Sequence, residues 1–136
     1  RIYDGTMVID GVKSTQLNIN ELYLDVCVAI TNAQLPTTID KGVVLQKMEN
    51  ASDAVNINYV CDDKIINFPA LKNMKAELLE EAIDGIDLSD TQTKRMLECA
   101  KWCRKDIDYN YINKRTKDTV KIVLTNDQIS SILRNN

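Results

Sequence analysis

The spacing of apolar residues changes period several times along the chain, and each change marks an element. Ile2-Tyr3 and Thr6-Met7-Val8-Ile9 flank Asp4-Gly5, a pair suited to a type I′ turn, so residues 1–10 read as a short hairpin. Ile19, Leu22, Val26 and Ile30 then recur at helical spacing, with Tyr23 and Cys27 beside them. This predicts a helix over 19–32, with Asn18 as N-cap and Glu21 completing a capping box. After Pro36, Thr37 or Thr38 is expected to cap a second short helix reaching about Glu49, with Ile39, Val43 and Met48 inward and Gly42 as its weak point.

Val55-Asn56-Ile57-Asn58-Tyr59 alternates strictly, as a half-buried strand does. Asp62-Asp63-Lys64 is turn material and Ile65-Ile66 resumes the apolar run, so 55–67 reads as a second hairpin. Pro69 suits the first turn of a helix over 70–83, striped by Leu71, Met74, Leu78 and Ala82. Ser89-x-x-Gln92 opens the next helix, to about Lys105 and fraying through Tyr111, with Met96, Ala100 and Cys103 inward. Thr119–Leu124 reads as a strand with Val120, Ile122 and Leu124 on one face, and Thr125-x-x-Gln128 caps a terminal helix carrying Ile129, Ile132 and Leu133. The expected architecture is a helix-rich α+β single domain spanning 1–136: two short hairpins and a late strand packed on about five helices, without the strand–helix–strand rhythm of a parallel sheet.

Length and composition fit that picture. A chain of 136 residues buries roughly two thirds of its unfolded surface and needs no metal or disulfide to fold. Four Gly and two Pro leave little room for linkers or a loop-rich sandwich. The chain begins at Arg1, which points to a processed product, a fragment or a trimmed chain.

The count that most restricts function is zero histidines, which removes Ser–His and Cys–His catalysis, imidazole metal ligands and a His pH switch. The glycines fit neither of the phosphate-binding loops. No enzyme, cofactor or resident metal is expected. Asp84, Asp87 and Asp90, preceded by Glu80 and Glu81, depart from the calcium-loop spacing and read as helix-capping acids. Cys27, Cys61, Cys99 and Cys103 match no zinc knuckle; Cys99 and Cys103 share a helix face without the redox C-x-x-C spacing. They read as buried thiols of a reducing compartment, which favours an intracellular over a secreted location. The sequon Asn50-Ala51-Ser52 is expected by chance in so Asn-rich a chain.

Charge is segregated. The net is −3, but residues 40–93 hold five bases and eleven acids while 94–121 hold nine bases and four acids. The basic part interleaves Lys94, Arg95, Lys101, Arg104, Lys105, Lys114, Arg115 and Lys117 with Trp102, Tyr109 and Tyr111. Bases attract phosphate and aromatic faces stack bases, so this segment is the candidate nucleic-acid or partner-binding site. The flanking pair of helices in 74–102 loosely resembles a helix-turn-helix, although its connection is too long. With 15 Ile, 13 Asn and 14 Asp the composition also suggests an AT-rich genome. The leading expectation is a small non-enzymatic interaction or structural protein of a viral, phage or other multi-subunit assembly, working through a protein partner or self-association without spanning a membrane. The alternatives are a nucleic-acid binder using 94–121 and a secreted disulfide-stabilised effector or carrier.

Overall fold

The computed structural model describes residues 12–135, so the hairpin expected over 1–10 lies outside the described residues. Its elements, in chain order, are α1 (Val12–Asn32), β1 (Thr37–Asp40), β2 (Val43–Asn50), β3 (Ala54–Cys61), α2 (Phe68–Lys72), α3 (Lys75–Asp84), α4 (Thr91–Trp102), β4 (Asp106–Asn113), β5 (Thr119–Leu124) and α5 (Asn126–Arg134). The strands form one five-stranded mixed sheet in the order β1-β2-β3-β4-β5. This corrects the expected helix-rich assembly of short hairpins: a single continuous sheet organises the molecule.

Alternation along the strands sorts their two faces. Val55, Ile57 and Tyr59 stand opposite Ile107, Tyr109 and Tyr111 in the parallel β3–β4 pair, and the latter stand opposite Leu124, Ile122 and Val120 across the antiparallel β4–β5 pair. All five helices pack on this apolar face: Leu24, Val28, Leu97, Ala100 and Ile129 close one half, while Phe68, Leu71 and Leu78 cover part of the other. The opposite face is polar. There the Asn110 amide donates to Asn56 and Asn58 at 3.1 and 2.9 Å, and Lys121 pairs with Asp108.

Three expectations fail for identifiable reasons. The helix expected over 37–49 is the β1–β2 hairpin. Gly42 turns it at φ 81°, and a Cβ there would come within 2.9 Å of Ile65. Ile65-Ile66 forms no strand; β3 pairs instead with β2 and, in parallel, with β4. The stretch after Lys105 is no fraying helix end but β4, the central partner of the sheet, reached from β3 by a crossover carrying α2, α3 and α4.

Other differences are local. The helix expected over 70–83 is split, because Asn73 ends α2 and Met74 starts α3 without a side-chain cap. Asp90, not Ser89, caps α4 by accepting from the Thr93 amide. The Thr125–Gln128 capping box is present as expected. Helix α1 begins at Val12, so Asn18 is internal, and Glu21 binds Lys105 instead of closing a box. Its last residue, Asn32, bonds both ways with the Met48 backbone at 2.8 and 2.9 Å, where the register of β2 shifts.

Candidate functional site

The basic segment does not make one surface. Lys105 is 2% exposed and donates at 2.7 Å to each of Glu21, Asn50 Oδ1 and the Ala51 carbonyl, a structural role. Asn50 also bonds Glu21 and Asp25, which ties up the sequon side chain. Lys94, Arg95, Lys101, Trp102 and Arg104 lie on α4 or just after it, with Arg95 5.6 Å over the Tyr23 ring of α1. Lys114, Arg115 and Lys117 sit on the β4–β5 turn. There Arg115 grips Asp63 at 2.6 and 2.8 Å, and its guanidinium holds the Asp63 carboxyl below the ordinary range. A polar cleft of about 520 Å³ opens beside this pair, but its ions answer each other: Lys72 also faces Asp118, at 3.8 Å.

Tyr109 and Tyr111 belong elsewhere. Alternation turns them inward with Tyr59, where the helices leave the sheet partly uncovered. Tyr59 and Tyr111 are register partners whose rings stack at 4.9 Å and 12°. The three phenols floor a hollow of about 460 Å³ walled by Leu78 and Ala82 of α3, Met96 of α4 and Ile39 of β1. A second hollow of about 310 Å³ continues past Tyr59 and Met96 toward Met48, Ile57 and Thr31. Together they form an apolar groove between the sheet and α3–α4.

The groove has a few polar features. Burial pushes the Tyr109 hydroxyl up to about 12 and raises those of Tyr59 and Tyr111, so all three stay neutral donors near pH 7. Among the described residues, none offers these hydroxyls a hydrogen-bond partner. Glu81 and Asp90 line the rim, and Glu77, Glu80, Asp84 and Asp87 stand exposed on α3 and the loop after it. Asp87 and Asp90 cap locally, taking Ser89 Oγ and Thr93 Oγ1 at 2.6 Å. No acidic or thiol cluster among the described residues could hold a metal.

The cysteines do not form a reactive centre. All four are thiols rather than disulfides. Burial pushes Cys99 up to about 11, with Cys27 close enough to add to the shift, and also raises Cys103.

Sequence reasoning therefore found two of the three floor tyrosines but attached them to phosphate chemistry. It missed Tyr59, Met96, Leu78 and Ala82 as a wall. The signal available was the shared alternation of 55–59 and 106–111, which places all three tyrosines on one face.

No family model matches the chain, and no curated protein matches its sequence. Two solved structures share its fold. A Pseudomonas aeruginosa protein inferred to be secreted superposes with a TM-score of 0.66 at 10% identity, over 87% of this chain and 96% of its own. The pilotin EpsS of the Vibrio vulnificus type 2 secretion system superposes with a TM-score of 0.61 at 13% identity, over 84% of this chain and 94% of its own. These two neighbours stand against the viral or phage assembly reading and the nucleic-acid alternative; the secreted alternative fits them better, without its disulfides, because all four cysteines are free thiols.

Proposed function

We propose that this chain is a non-catalytic, exported accessory protein of pilotin type that holds an apolar segment of a partner protein in the sheet–α3–α4 groove. The location proposed is exported, where the thiols alone favour an intracellular one. The observation that carries the reading is the open groove: an apolar trough floored by three neutral tyrosines without internal partners, in a fold shared with a secretion pilotin. Apolar walls with a few oriented polar groups suit a side-chain-bearing ligand. The acidic rim favours a segment whose exposed flank is basic, and the trough suits an amphipathic helix laying down its apolar face.

A labelled 18-residue amphipathic helical peptide, leucine on one face and lysine on the other, is the probe. It should bind with a Kd of about 1–100 μM, equivalent to roughly 5–8 kcal/mol. Met96→Glu and Leu78→Glu should weaken it at least about tenfold by placing a carboxylate against apolar contacts. An analogue with glutamate in place of lysine should bind more weakly against the acidic rim. Equal binding by wild type and both groove variants would refute the reading.

A further inference from the structure

The groove leaves a second surface unexplained. Helix α1 is apolar on both sides. Its inner face, Leu24, Cys27 and Val28, is buried in the core. Its outer face keeps Leu22 62%, Val26 53%, Ile30 46% and Tyr23 43% exposed. The Leu22, Val26 and Ile30 stripe picked out from spacing alone is therefore the solvent side of the helix. A helix with two apolar faces needs cover on both, and among the described residues this one has cover on one.

The neighbouring helix extends the patch. α1 and α4 run antiparallel: Glu21 reaches Lys105 just past the end of α4, while Thr31 shares a hollow with Gln92 and Thr93 at its start. Arg95 lies over Tyr23, and Trp102, two turns further on the same side of α4, is 58% exposed. Lys101 sits 6.0 Å from the Trp102 ring, and Lys94, Arg95 and Arg104 are exposed alongside. The acids of this face are Asp25, Glu98 and Glu21, the last already paired with Lys105. Among the described residues, four cations thus lie along the exposed side of α4 next to the apolar stripe, against Asp25 and Glu98, while the acidic excess of the chain lies in segment 40–93.

We propose that the α1–α4 face is a docking surface for an anionic lipid bilayer. The apolar stripe of α1 lies in the interfacial plane, and Tyr23 and Trp102 occupy the headgroup level, where amphipathic rings are favoured. Lys94, Arg95, Lys101 and Arg104 flank the stripe, bury their stems beside it and hold their charges at the lipid phosphates. No helix among the described residues is long and apolar enough to cross a membrane, so the contact is peripheral.

Trp102 is the one tryptophan of the chain and reports on its own site. The full chain is titrated with vesicles of phosphatidylglycerol and phosphatidylcholine, and separately with phosphatidylcholine alone. Binding to the anionic vesicles is expected, with Trp102 emission moving to shorter wavelength and affinity falling about tenfold or more as screening salt is added. Val26→Asp, an exposed change, should abolish the shift; Lys101→Glu with Arg104→Glu should remove binding to anionic vesicles. Met96→Glu in the groove should bind vesicles like wild type, separating this surface from the groove. Absence of binding to anionic vesicles at low salt would overturn the proposal. So would a Trp102 shift that follows protein concentration without lipid, together with a doubled mass in sedimentation, because the occupant would then be a second copy.

Discussion

The inner face of the sheet has two halves built by the same three strands. At one end, Val55, Ile107 and Leu124 lie side by side, sealed under α1, α4 and α5 and almost wholly buried. Four residues further along β3, and two and four further along β4, the inward positions are tyrosines, and the helices stand apart. Strand periodicity is identical in both halves. On β3 and β4 side-chain chemistry and helix placement differ: aliphatic residues where the surface is closed, and rings with neutral hydroxyls where it is open, while Val120 and Ile122 of β5 stay buried under α2 and α3. The sealed half should carry stability and the open half recognition.

The sharpest test contrasts one substitution from each half. Leu124→Ala leaves a cavity in the sealed half and should lose about 2–5 kcal/mol in urea unfolding. Tyr59→Phe, in the open half, removes a hydroxyl with no internal partner and should cost less than about 1 kcal/mol while weakening peptide binding. Equal losses would erase the distinction. Lys105, buried just before β4, ties α1 to the end of β2 through Glu21, Asn50 and the Ala51 carbonyl. Lys105→Ala strands Asn50 and the Ala51 carbonyl and unpairs Glu21, for an expected loss of about 2–4 kcal/mol, moderated because Glu21 is partly solvated.

Smaller effects belong to the open end. Gly42→Ala puts a Cβ against Ile65 in a positive-φ turn and should cost about 1–2 kcal/mol by thermal or urea unfolding. The smallest is Arg115→Ala. Because Arg115 lowers the folded-state pKa of Asp63, its contribution is complete above the unfolded value of about 3.9 and is lost as pH falls through the folded one. Wild type and variant should differ slightly at pH 7 and converge in strong acid, as followed by urea midpoints across that range.

How far the sequence could be read follows from this architecture. Local signals were sufficient where an element is set by its own residues: the Thr125 capping box, the β5 alternation, and Asn32 as the end of α1. They misled where tertiary contact decides. Thr37–Glu49 carries apolar residues compatible with either period, and only Gly42 signalled the turn. Asp106–Tyr111 alternates strictly, but its position after a strong helix drew it into that helix. In α1, spacing found a real stripe on the side that the core does not use, because both faces are apolar. For the site, the aromatic residues were visible while the open groove was not, since it depends on how far α3 and α4 stand from the sheet. Charge segregation was legible, but its basic part is divided among a buried lysine, one face of α4 and a distant turn.

The central claim is that the groove holds an apolar, basic-flanked segment, and Met96 tests it most directly because its side chain borders both hollows. With methyl-labelled methionines, the Met96 signal is followed as the leucine–lysine peptide is added. The account predicts a saturable shift of Met96 that is absent in Leu78→Glu, while Met74, outside the groove, stays in place. An unmoved Met96 in the presence of bound peptide would contradict it.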